Sequence, residues 1–138
     1  KLSSEHPEQQ WNNIVKRSDQ ATMDADLFSR KQQGFWQNVG QCCGSAGIAD
    51  YFLRQYLKSD DPRQLAFARQ ATADIIEHAT VEDNTLSWTH AEHRSSPDFR
   101  LTLTGYMQGA AGIGMHFLRM HAYINEQPVS IHLLDDRW

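Results

Sequence analysis

The sequence predicts an all-α chain assembled from helical repeats and interrupted by one short β-hairpin-like insertion. Three observations carry that prediction. The run Gly44-Ser45-Ala46-Gly47-Ile48-Ala49-Asp50-Tyr51-Phe52-Leu53-Arg54 returns 65 residues later as Gly109-Ala110-Ala111-Gly112-Ile113-Gly114-Met115-His116-Phe117-Leu118-Arg119, with Gly, Ala, Gly, Ile, Phe, Leu and Arg shared in order. Apolar residues fall at helical spacing over roughly 45–58, 62–79 and 110–123. Finally, Phe99, Leu101 and Leu103 alternate with Arg100, Thr102 and Thr104, the period of a strand with one face inward.

Taken in order, residues 1–33 are polar and mostly helical in pattern. Trp11, Ile14 and Val15 share one helical face after Pro7, and Leu27 and Phe28 belong to a second candidate helix from about Thr22. Gly34 to Gly40 reads as a loop or short extended segment. From Ser45 to Lys58 the apolar face is broad (Ile48, Tyr51, Phe52, Leu53, Tyr56, Leu57), as in a buried helix, and Tyr51, Phe52 and Tyr56 are expected in the core. Asp61-Pro62 offers an N-cap with proline at the first helical position, and Gln64 is placed to complete a capping box. The helix that follows carries Leu65, Ala68, Thr72, Ile75, Ile76 and Ala79 on one face, so a half-exposed helix succeeds a buried one. Residues 81–106 read as irregular apart from the strand around Leu101, for which Leu86 and Trp88 are the candidate partner. Pro128 ends any extension of the last helix. Duplication at helix starts indicates repeat units that bury their faces on one another, with glycines allowing a sharp entry turn and close approach of helix ends. The two repeated helices should pack side by side, with the 62–79 helix outside them.

Composition narrows the function classes. At 138 residues with 40% hydrophobic residues, the chain suits one domain with a modest core. A net charge of −4 and a pI near 5.9 give no pull toward nucleic acid or anionic membrane, and the basic residues are scattered. No stretch is apolar enough to span a bilayer, and no signal-peptide pattern is present. The chain opens at Lys1 without an initiator methionine, as expected of a piece of something longer. Its two cysteines, Cys42 and Cys43, are adjacent; a disulfide between them would close almost no loop and would strain the backbone. A reducing, cytoplasmic setting is therefore expected.

Cys42-Cys43-Gly44-Ser45-Ala46-Gly47 resembles the lanthionine synthetase C motif Cys-His-Gly-x-Ala-Gly. Gly105-Tyr106-Met107-Gln108-Gly109-Ala110-Ala111-Gly112-Ile113-Gly114 is similar to that family's last inner-helix motif. The resemblance covers residues 35–138 and implies that 1–138 is the C-terminal part of such a domain, a segment of an α/α toroid of paired inner and outer helices. It also implies zinc-dependent addition of a cysteine thiol to dehydroalanine or dehydrobutyrine, with a peptide or small thiol and electrophile as partners. Cys43 stands where the family has histidine, which resembles the branch whose zinc is held by three cysteines. Cys42 and Cys43 are then the metal ligands. The third ligand and the acid-base histidine and aspartate belong to upstream segments that no position here matches, and no cysteine precedes Cys42.

The residues support the metal reading independently. Both cysteines precede a helix N-terminus, whose partial positive charge favours thiolate, and zinc selects thiolates. The bland alternative is a pair of small buried residues at a helix entry. His90 and His93, flanked by Trp88, Glu92 and Arg94, are weaker candidates for metal or substrate binding, and His116 and His121 are expected to be packed or solvent-facing. Glu92 with Asp98 would be the acid/base pair if the chain were instead a carbohydrate-active α/α toroid, and a non-catalytic binding module that lost the zinc site is the other alternative. Open toroid flanks would expose Tyr56, Leu57 and Met120 and favour self-association.

Overall fold

The computed structural model describes residues 7–30, 36–93 and 96–131, with 91–93 and 96–99 described by backbone alone. The chain is mainly helical: α1 (Pro7–Asp24), a 3-10 turn (Leu27–Ser29), α2 (Ser45–Ser59), α3 (Pro62–Glu77) and α4 (Ala110–Ile124). Between α3 and α4 lie two antiparallel hairpins, β1 (Thr80–Glu82) with β2 (Thr85–Ser87), and β3 (Thr89–His93) with β4 (Ser96–Thr102).

The repeat is real in three dimensions. Ser45 N donates to Asn38 O as Ala110 N does to Leu103 O, and Ala46 N to Val39 O as Ala111 N does to Thr104 O. Each pair is separated by the same 65 residues as the sequence repeat. The repeated glycines have a steric cause. Gly44 and Gly109 cap their helices at φ −154° and −133°, extended values open to any residue. A Cβ on Gly44 would sit 2.6 Å from Asn38 O, and one on Gly109 2.2 Å from the equivalent Leu103 O. At the second glycine of each copy, a Cβ on Gly47 would meet Gln41 O at 2.1 Å and one on Gly112 would meet Tyr106 O at 1.9 Å. The entry loop thus folds flat onto the first turn of its own helix, which only glycine permits.

Two apolar clusters fill the interior. Leu27, Phe52, Leu53, Phe67, Ala68 and Met120 form one, with the Phe52 and Phe67 rings edge to face at 4.8 Å. Val39, Ala46, Ile75, Trp88 and Ile113 form the other, and the Trp88 indole donates to Ile75 O at 2.8 Å. α3 therefore touches both repeated helices. Tyr51 and Tyr56 are only half-buried, so of the three aromatics expected in the core Phe52 alone is fully enclosed. α1 is tied to α2 by Tyr51, whose hydroxyl donates to Asp19 Oδ1 at 2.7 Å; burial first, then this carboxylate, pushes the Tyr51 phenol up to about 12.

Several expectations are corrected. No helix begins at Thr22: α1 continues through it to Asp24, and Leu27 and Phe28 sit in the 3-10 turn. The capping box does not form, because Asp61 Oδ1 accepts from Arg63 N while Gln64 Oε1 accepts from the Ser59 hydroxyl. Residues 81–93 and 96–106 hold strands and turns, and the partner of β4 is β3, with His90 opposite Leu101. Leu86 instead pairs with Val81 in the first hairpin. That hairpin turns on Asp83 and Asn84, both at positive φ, the two-residue geometry that matches strand twist. Ile76 points outward while Phe67 and Ala71 take the buried face of α3. Met120 is buried rather than exposed; Tyr56 is half-buried against Tyr123, and Leu57 is exposed as expected. Trp11, Ile14 and Val15 are exposed along α1.

The steric reading of the glycines predicts opposite effects two residues apart. Gly112→Ala must displace a backbone carbonyl and should cost about 1–3 kcal/mol in urea unfolding. Gly114→Ala meets nothing within 4 Å and should stabilise α4 by about 0.5–1 kcal/mol.

Candidate functional site

The two entry loops lie against each other, and the cysteines sit at their junction. Cys42 N donates to Met107 O at 2.7 Å, and a Cβ on Gly40 would come within 2.9 Å of the Gln108 Cα, so the loops meet backbone to backbone. Cys42 and Cys43 occupy the turn just before α2; both are exposed and reduced, with their sulfurs 3.4 Å apart. Thiols that close can grip one soft ion or electrophile together. The two sulfurs are thus brought to one place, at the helix entry where sequence put them.

Beneath the thiols lies a polar cluster that pattern reading missed. Asp50, fully buried on α2, accepts from Arg119 Nη1 and, through Oδ1, from His116 Nδ1 at 2.8 Å. Its Oδ2 also accepts from Gln41 Nε2 at 2.8 Å. A carboxylate can only accept, so the Nδ1 of His116 carries the proton in that bond. His116 Nε2 faces Thr72 Oγ1 at 2.9 Å, which brings α3 into the cluster. Burial pulls the Arg119 guanidinium down, but the Tyr106 hydroxyl and the Asp50 charge outweigh it and hold Arg119 above its ordinary range. His116 was expected to be packed or solvent-facing; it is packed, at 0% exposure, and hydrogen-bonded at both ring nitrogens. The available signal was polar residues, Asp50, His116 and Arg119, on otherwise apolar faces of the two repeated helices.

A second buried carboxylate fixes the first turn of α2. Asp74 on α3 accepts from the Ser45 hydroxyl at 2.5 Å and, in bidentate fashion, from Arg30 at 2.8 and 3.0 Å. Trp36 Nε1 donates to Ser45 Oγ at 3.1 Å.

Among the described residues, His90 does not join the two thiols in a group of three metal donors. His90 is buried, with Nε2 3.4 Å from Asn38 Nδ2 and Nδ1 without a partner among the described residues. The side chains of His93, Glu92 and Asp98 fall outside the described residues, as does Arg94. His121 is exposed at the end of α4. Zinc, the metal that the resemblance implies, is matched in the kind and closeness of its donors, two thiols 3.4 Å apart. It is not matched in number, because among the described residues no three His, Cys, Asp or Glu side chains gather in one place.

A duplicated helix entry, with a thiol pair on its first copy, defines a helical-repeat protein. The family model described as "Lanthionine synthetase C-like protein" matches residues 9–133, and the chain belongs to that family. The match takes in α1 from Gln9 onward, beginning well ahead of residue 35 where the motif resemblance starts. No curated protein and no solved structure matches the chain. Among the described residues no helix is long and apolar enough to cross a membrane.

The exposure of both sulfurs leads to a direct expectation. Ellman's reagent should titrate two thiols per chain under native conditions, without denaturant. A count below two would place a sulfur inside the fold.

Proposed function

We propose that Cys42 and Cys43 are two of the thiolate donors of a zinc centre that serves addition of a thiol to dehydroalanine or dehydrobutyrine, the chain being the C-terminal part of a toroidal cyclase-like domain. The observation that supports this reading is the 3.4 Å approach of two exposed sulfurs at the motif where the family carries its adjacent ligands. Zinc held by thiolates and left one open position supplies a bound, activated thiol for the addition. The chain's own part is to hold the two sulfurs together and outward. Gly44 and Gly47 let the loop lie flat on α2, and the Cys42 amide is anchored on Met107. The third donor and the groups that move protons come, on this reading, from outside the described residues. A cytoplasmic setting suits thiols that must stay reduced.

The test is zinc content of the whole protein and of this chain. The whole protein should carry zinc and lose it in Cys42→Ala and in Cys43→Ala, whereas the isolated chain, with two donors, should hold zinc only weakly. Whole-protein variants that keep their zinc would place the metal elsewhere and overturn the assignment.

A further inference from the structure

We propose that Gln41 is the positioning residue of the thiol pair: its side chain clamps the Cys42–Cys43 turn to the second repeat and to the buried Asp50, and so keeps both sulfurs on one ligand. The inference rests on the metal-donor reading of the cysteines and concerns how that donor pair is built.

Gln41 is held at both ends. Its carbonyl lies where a Cβ on Gly47 would be, 2.1 Å away, so its backbone is pressed onto the first turn of α2. Its side-chain Nε2 donates to Asp50 Oδ2 on α2 at 2.8 Å and crosses to the other repeat to donate to Gly112 O on α4 at 3.0 Å. Both amide protons are thereby used, one on each repeated helix. Gly112 makes room for this crossing, since a Cβ there would meet Gln41 Cγ at 2.6 Å. The next residue is Cys42, whose own amide is bound to Met107. Three consecutive anchors therefore precede the sulfurs: carbonyl, side chain and following amide.

The repeat sharpens the point. Tyr106 is the counterpart of Gln41 in the second copy, and its hydroxyl accepts from Arg119 Nη2 at 3.5 Å, the arginine that also binds Asp50. The first loop thus binds Asp50 directly and the second reaches it only through Arg119, and only the first loop carries thiols. Fixing the loop there reduces the conformational freedom that a bidentate ligand would otherwise have to remove.

The experiment uses a trivalent arsenical, phenylarsine oxide, which condenses with two thiols at once and loses water; it needs no zinc. Gln41→Met keeps the length of the side chain and removes its donors, and Gln41→Ala removes the side chain altogether. Phe67→Ala, in the other apolar cluster, is the control for loss of stability without contact to the loop. Gln41→Met should weaken arsenical binding about tenfold, the equivalent of one net hydrogen bond. The rate of alkylation of each thiol by iodoacetamide should stay within about twofold, because a single sulfur gains nothing from alignment with its neighbour. Phe67→Ala should lower the unfolding midpoint and leave arsenical affinity unchanged. Arsenical binding by Gln41→Met as tight as in the parent overturns the proposal, and so does a parent chain that takes up no arsenical. A parent that captures arsenical through a Gln41-dependent pair but carries no zinc in the whole protein would refute the metal reading and leave the clamp standing.

Discussion

A carboxylate carried into a protein interior must be met there by donors, because water no longer compensates its charge. Asp50 is in that position, and its donors come from α4 and from the loop before the cysteines. Arg119 and His116 are on α4, Gln41 is in the loop before the cysteines, and Thr72 on α3 holds the far side of the imidazole. Apolar contact alone would let the two repeated helices slide or rotate against each other. Directional bonds to one buried charge fix their register, at the cost of an interior that tolerates no half-measures: removing one partner of such a set typically costs about 3–5 kcal/mol.

The consequence reaches the surface. The two cysteines of the turn are exposed. The turn is tied to the interior through Gln41 to Asp50 and through the Cys42 amide to Met107. Asp74 does the same for the first turn of α2, joining Ser45 to Arg30. Two buried carboxylates thus hold the helix that the thiols introduce, one at its entry and one a turn or two along.

Much of this was legible in the sequence because it follows from backbone sterics. A glycine that must let a carbonyl pass within 2.6 Å of its missing Cβ cannot vary, so the duplicated glycines betray the duplicated entry loops. The helices at 45, 62 and 110 begin where a glycine or an Asp-Pro pair says they should. The first hairpin was hidden because its turn uses Asp83 and Asn84 instead of a glycine. The end of α1 was misplaced because Thr22 resembles a helix start while its hydroxyl in fact bonds back to Ser18 O within the helix. At the site, the cysteines stand out by type and spacing. Asp50, His116 and Arg119 do not, since their meaning lies in contacts across nearly 70 positions that no local pattern records.

The claim that Asp50 binds the repeats together is tested most directly by a double-mutant cycle in urea unfolding with Asp50→Asn and Arg119→Met. Each single change strands a buried partner, whereas the double change removes both ends of one interaction. The account predicts that the double variant is at least about 1 kcal/mol more stable than the two single losses summed would make it. Additivity within about 0.5 kcal/mol would contradict it, leaving the repeats held by their apolar clusters alone.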